Sequence, residues 1–325
     1  MSDAFLTLAY TENGLSCFFV PRWTPDGKRN VFLIQRLKDK LGNRANASSE
    51  IEYDGTWARL VGEEGRGVRT IIEMVHGTRL DTCAGPVGLM RQAVTQAIHH
   101  ASHRNAFQRK LSQQPLMQNV LADLALESEA ATSLMLRIAG AYDRSATDPQ
   151  EAAFARIAVA VSKYWINKRT PPLIYEALEC HGGSGYIEES VMARIYREAP
   201  LNSIWEGSGN VICLDVLRAM QRDPDSVEAL RAELAAAQGM DPRLDAHLAK
   251  IEQGLADPAA MELRARRMVE LLALALQGSL MARHAPPAVA EAFLASRLDG
   301  DWGLTFGSLP ADTDFTAIME RAAIQ

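Results

Sequence analysis

The sequence predicts a mainly α-helical α+β chain: a partial antiparallel β region, then an up-and-down helical bundle, then a further C-terminal helical extension. Three observations carry this prediction. Residues 1–65 hold short runs rich in β-branched and aromatic residues, broken by turns. From Gly67 to about Met220 the apolar residues recur at the helical period. After "RDPD" at 222–225 the chain turns Ala- and Leu-rich.

The elements follow in order. "FLTLAY", "SCFFVPR", "NVFLIQRL" and "SSEIEYDG" read as strands, with "TENG" and "TPDG" as turns. A fragment of antiparallel sheet keeps unpaired edges and one open face, so residues 1–65 read as part of a β domain. Without a covering layer that zone would expose apolar surface and invite association. Residues 66–221 read as the bundle. A long helix is expected over 69–103, despite Gly77, Gly85, Pro86 and Gly88. Leu116, Val120, Leu124, Ala131, Leu134 and Ile138 share one face of a second helix. A third carries Phe154, Ile157, Val161 and Trp165; Pro171 and Pro172 are expected to end it and open a fourth, running to "HGGSGY". The last starts near Ser208, with Val211, Leu214, Leu217 and either Ile212 or Val216 inward. In the extension, 222–325, helices are expected over 226–238, 242–254, 258–283 and 287–297.

The totals narrow the function classes. The chain of 325 residues is 47% hydrophobic and 23% charged, as a globular protein with a sizeable core should be. Aromatics are only 6%, so aliphatic side chains must fill that core. The net charge of −6 argues against coating nucleic acid by bulk attraction. Residues 222–325 hold 10 Lys+Arg and 16 Asp+Glu, so the whole deficit sits there. No apolar run reaches the ~18 residues of a membrane span, and the start lacks the features of a secretory signal. Cys17, Cys83, Cys180 and Cys213 lie far apart with no CxxC, which reads as reduced, mostly buried thiols in a cytoplasmic protein.

Several segments offer chemistry, each with a plainer alternative. In "NSIWEGSGN" (202–210), Ile204 and Trp205 would strip water from Glu206, and burial makes a carboxylate a stronger base. Gly207 and Gly209 let backbone approach a flat ligand, and Ser208 can cap the next helix. The alternative is an acid stabilised in a first helical turn by the dipole. "HRNAFQRKL" (103–111) gives a positive loop suited to a pyrophosphate, or a solvated turn. "HGGSGY" (181–186) follows a helix rather than a strand, so it is no Rossmann fingerprint; alone it is a helix cap and turn. His99 and His103 could share a helix face, but with no further ligands they read as a helix end, and no metal is expected. Arg264, Arg266 and Arg267 form a compact basic cluster that reads by default as a solvated face. Trp302 and Phe306 read as packing anchors.

In this order and spacing the segments resemble the acyl-CoA dehydrogenase family of flavoproteins. The likeness covers residues 1 to about 221 and rests on "RLKDKLGNRANASSEIEYDG", "LVGEEGRGV", "RLDTCAGPVGLMRQA", "HRNAF", "ALECHGGSGYIEES" and "REAPLNSIWEGSGN". "SIWEGSGNVICLDVLRAM" and the last zone, with "ARHAPPAVAEAF", resemble the AidB-like branch, linked to the response to DNA alkylation. The resemblance implies FAD as cofactor and an acyl-CoA thioester as substrate. Glu206 falls at the catalytic base, which removes the α-proton while hydride leaves the β-carbon, and its backbone N–H would help bind the thioester carbonyl. Relatives that place the base earlier do so where Thr78 stands here, before Arg79 and Leu80. Arg104 and Phe107 match residues that hold the FAD of a neighbouring subunit, with Gln114 near the same contact. Glu179, Gly182, Gly183 and Gly185 match the turn at the adenosine-diphosphate part, and Ser208 and Asn210 match further FAD contacts. A homo-oligomer, dimer or tetramer, is therefore implied.

Two residues depart from the family pattern: Gln108 where glycine is usual, and Glu179 where glutamine is frequent. Nothing here matches the family's N-terminal helical domain and the first half of its β domain, and Met1 reads as an internal methionine. Three readings follow: a FAD-dependent acyl-CoA dehydrogenase; a flavoprotein associated with double-stranded DNA through Arg218 and Arg264, Arg266 and Arg267, with weak or no dehydrogenase activity; or a flavin-free remnant.

Overall fold

The computed structural model describes residues 2–256 and 260–324. It shows two compact units, Met1–Thr78 and Arg79–Gln325.

In the first unit, β1 (Ala4–Thr11) and β2 (Gly14–Pro21) form an antiparallel hairpin, and β5 (Arg59–Val61) joins the far edge of β2. β3 (Leu33–Leu37) and β4 (Ser49–Glu52) make a separate two-stranded ribbon. Buried Asn30 ties the loops together. Its amide donates to the Pro21 and Trp57 carbonyls, both at 2.8 Å, while its oxygen accepts from the Val31 and Trp57 amides. Every residue of β3 is exposed, among them Leu33, Ile34 and Leu37, which is the uncovered apolar surface expected of a partial β region.

Helix α1 (Gly67–His103) runs through its glycines and Pro86, as expected. Then come a two-residue hairpin, β6 (Asn105–Ala106) with β7 (Arg109–Lys110), and α2 (Pro115–Arg144). Helix α3 (Pro149–Glu179) is capped by Asp148, whose carboxylate accepts from the Gln150 and Glu151 amides. It does not stop at Pro171. Both prolines lie inside one continuous helix because Thr170, Leu173, Ile174 and Ala177 continue its buried stripe. Tertiary burial outweighs the ~3 kcal/mol that an interior proline costs.

Short α4 (Gly183–Tyr186) and α5 (Val191–Glu198) lead to α6 (Gly209–Arg222). The buried face of α6 is Ile212, Cys213, Val216 and Leu217; Val211 and Leu214, expected inward, are exposed. Helices α7 (Pro224–Ala235), α8 (Pro242–Ala256), α9 (Met261–His284) and α10 (Pro287–Phe293) follow. A π-helical turn, Leu294–Asp299, replaces the expected end of α10, and α11 (Phe315–Ala322) closes the chain. Residues 258 and 259 of the helix expected over 258–283 lie outside the described residues. Helix α7 packs on α3, α9 on α2 and α3, and α11 on α2, so the extension shares one core with the bundle. All four cysteines are buried and free. Among the described residues, no helix is long and apolar enough to cross a membrane.

Candidate functional site

Glu206 lies in a turn between a 3₁₀ segment, Ala199–Ser203, and α6. Glu206 and Gly207 both take positive φ, +57° and +104°. At φ +104° the Gly207 position favours glycine, and a Cβ there would also press on Ile212 Cδ1 at 3.0 Å. Glu206 carries a Cβ in the left-handed region and needs outside support. Three side chains provide it. Lys163 Nζ donates to the Gly207 carbonyl at 2.7 Å and to the Asn202 carbonyl at 3.3 Å. Asn167, one turn along α3, donates to the Asn202 carbonyl at 2.9 Å. Arg79 Nε donates to the Glu206 carbonyl at 3.3 Å.

Arg79 is itself anchored. Its Nη1 pairs with Asp215 at 2.7 Å, and Arg156 reaches the same carboxylate at 3.2 Å. Burial pushes the Asp215 carboxyl up, but Arg156 and Arg79 together hold it below its ordinary range. Burial pulls the Lys163 ammonium down to about 8, aided by Arg79 and Lys168 and opposed by Cys83 and Glu206.

Two local expectations fail here. Ile204 is 63% and Trp205 37% exposed, so they do not dry Glu206 within the chain, and the carboxylate side chain is half-buried. The buried face of this segment is made by Ala199 and Asn202 instead. Ser208 occupies the cap position of α6, but its exposed hydroxyl makes no capping hydrogen bond.

A second set of residues meets about one open cavity of about 640 Å³. His100 at the end of α1 and Arg104 just beyond it line it together with His181, Gly182, Gly183 and Ser184. The two imidazoles lie against each other with centroids 4.8 Å apart. His181 Nδ1 faces the Ala177 carbonyl at 2.7 Å and must donate to it, which leaves Nε2 available to a ligand. A Cβ built on Gly182 or Gly183 meets nothing within 4 Å, so the turn presents bare backbone. Gly185 serves the turn itself: its Cβ would lie 2.3 Å from the Leu178 carbonyl.

The other predicted residues lie off this cavity. Phe107 and Gln108 form the hairpin tip, both at positive φ, and Phe107 is 88% exposed. Gln114 is half-buried and donates to the Ala106 carbonyl at 3.2 Å. Glu179 is exposed at the end of α3 and does not line the cavity. Asn210 accepts from Arg266 Nε at 2.8 Å, which ties α6 to α9. Arg218 pairs with Asp215 at 3.7 Å and Arg267 with Glu270 at 2.7 Å, while Arg264 is half-buried.

The sequence profile of the "Acyl-CoA dehydrogenase, C-terminal domain" family matches residues 65–221. Over 303 residues, 93% of the chain, it is 45% identical to the AidB protein of Escherichia coli (strain K12), and that match covers 56% of AidB. The chain belongs to the acyl-CoA dehydrogenase family, in its AidB-like branch. The family fold extends through the last helices. The structure of Caenorhabditis elegans ACDH-11 in complex with C11-CoA superposes with TM-score 0.83 at 25% identity, over 91% of this chain and 57% of that one. A Bacillus anthracis acyl-CoA dehydrogenase complexed with FAD shares the fold, with TM-score 0.69 at 20% identity, over 99% of this chain and 59% of that one. The chain spans about half the length of the curated relatives it matches.

Membership of this FAD-binding superfamily gives the cavity a candidate ligand, and its residues fit one. A guanidinium, two imidazoles and bare glycine backbone suit a pyrophosphate, and the volume is within the range of cofactor sites. Sequence reasoning missed His100, His181, Lys163, Asn167 and Asp215. Lys163, Asn167 and Asp215 left one signal: each is a polar residue on an otherwise buried helix face.

Proposed function

We propose that this chain carries the dinucleotide-cradling and base-bearing elements of an AidB-like flavoprotein. The observation that carries the reading is the meeting of Arg104 with the Gly182–Gly183 turn about one cavity, with His100 and His181 beside them. FAD, when bound, supplies a hydride acceptor. Arg104 and the glycine backbone hold its phosphates, and the exposed Phe107 reaches toward a second copy of the chain in a homo-oligomer. Glu206 takes the α-proton of an acyl-CoA thioester, and its turn, fixed from beneath, keeps the carboxylate at one position.

The test is spectroscopic. The purified chain binds added FAD, and Arg104→Ala weakens that binding at least tenfold. Glu206→Gln keeps FAD but loses its reduction by acyl-CoA, a drop of about 10²-fold or more for removal of a general base. Normal reduction in Glu206→Gln removes the base assignment; no FAD binding at all favours a flavin-free scaffold.

A second reading rests on the 45% identity to AidB, which runs through the extension. In it the flavoprotein associates with double-stranded DNA through Arg218, Arg264, Arg266 and Arg267, and dehydrogenase activity is weak or absent. Binding that falls steeply with added salt supports it; salt-independent binding, or none at low salt, removes it.

A further inference from the structure

We infer that Lys163 is a positioning residue whose ammonium locks the Glu206–Gly207 turn in its left-handed conformation; this rests on the reading of Glu206 as the base.

The turn has little backbone bonding of its own. The Ile204 and Trp205 amides return to the Leu201 carbonyl, and α6 begins with the Ile212 amide on the Ser208 carbonyl. Between them stand two consecutive residues at positive φ, one of which bears a side chain. A left-handed non-glycine residue is strained, so the chain would relax unless something held it. Asn202 stands in the last turn of the 3₁₀ segment, and Glu206 and Gly207 lie between it and α6, so their carbonyls need partners from elsewhere.

Lys163 meets that requirement. It is 1% exposed, on α3, and bridges the carbonyls at both ends of the turn, Asn202 at 3.3 Å and Gly207 at 2.7 Å. A single ammonium with three donors can do this, whereas a neutral apolar residue would leave the Gly207 carbonyl unpaired and the Asn202 carbonyl to Asn167 alone. Arg79 holds the carbonyl in between, and Asn167 shares the Asn202 carbonyl with Lys163. Lys163 is thus the only one of these three side chains that joins the start of the turn to its end. It touches backbone rather than the reacting atoms, so it acts through Glu206.

The test uses Lys163→Met, which keeps the stem and removes the donors, beside Lys163→Arg, which keeps them. Amide hydrogen exchange of the peptide spanning 200–212 is read with no flavin present. Lys163→Met should exchange at least tenfold faster there, with exchange elsewhere unchanged, and Lys163→Arg should recover part of the protection. In flavin-loaded protein, Lys163→Met should lower kcat for acyl-CoA-driven reduction about tenfold or more at little-changed KM. Unchanged exchange in Lys163→Met overturns the proposal. If that variant does not fold, the native chain decides: exchange over 200–212 as fast as in the exposed turn at 24–28 also overturns it. Should Glu206→Gln reduce flavin normally while Lys163→Met still loosens this peptide, the base assignment fails and the lock stands.

Discussion

Gln108 holds the second place of a two-residue hairpin loop at φ +68°, behind Phe107 at φ +52°. Type I′ loops need positive φ at both places, which is why glycine is favoured there. The family resemblance marked this position as one where glycine is usual, and the backbone supplies the reason. Gln108→Gly should therefore relieve strain and raise stability by up to about 1 kcal/mol, after the greater freedom of glycine in the unfolded chain is deducted. Thermal unfolding checks this, with a rise of about 2 °C expected for a unit of this size. A lowered midpoint would show that the loop is held by contacts of the glutamine side chain instead.

Among the elements, α2 shows how the extension is fastened. Asp123 and Glu127, both buried, face Arg297 from the π-helical turn, and Arg169 of α3 reaches Glu127 at 3.1 Å. Asp123 also accepts from Trp302 Nε1 at 3.0 Å and the Gly307 amide at 2.9 Å. The expected packing anchors thus work through a buried carboxylate as well as through their rings. Arg297 and Arg169 lie over the Trp302 face at 4.1 and 4.9 Å. Asp123→Asn leaves Arg297 partly uncompensated and should cost about 3–5 kcal/mol in urea unfolding. Burial pushes the Glu127 carboxyl up, but Arg169 and Arg297 outweigh it and hold it below the ordinary 4.5. The unfolded chain then takes up a proton at higher pH than the folded one. This stabilisation is complete above about 4.5 and is lost as pH falls through the lower folded value.

For the whole molecule, charge separates the two readings. Residues 222–325 carry the full deficit of −6, and the arginines proposed for DNA are already engaged within the chain, Arg218 with Asp215, Arg266 with Asn210 and Arg267 with Glu270. Phosphates would have to displace those partners. If all four arginines did engage phosphates, the slope of log affinity against log salt would be about −4 at most. A steeper slope would require basic residues outside this group.

The sequence by itself determined the class of each zone and the identity of the motifs. Strand alternation, helical period and the spacing of the glycine turn are local properties, written in neighbouring residues. Glu206, Arg104 and the 182–183 glycines stood out as candidates because they sit in such local motifs. Only the tertiary structure decided that α3 runs unbroken through Pro171 and Pro172, because burial of Leu173, Ile174 and Ala177 is a property of packing. The same holds for Arg79, Lys163 and Asn167 beneath the turn and for Asp123 beneath the tail. Each is a buried polar residue on a largely apolar helix, and its partner lies 35 or more positions away. No period or motif records a contact of that span; it exists only once helices are laid side by side and an unpaired buried charge must find its counterpart.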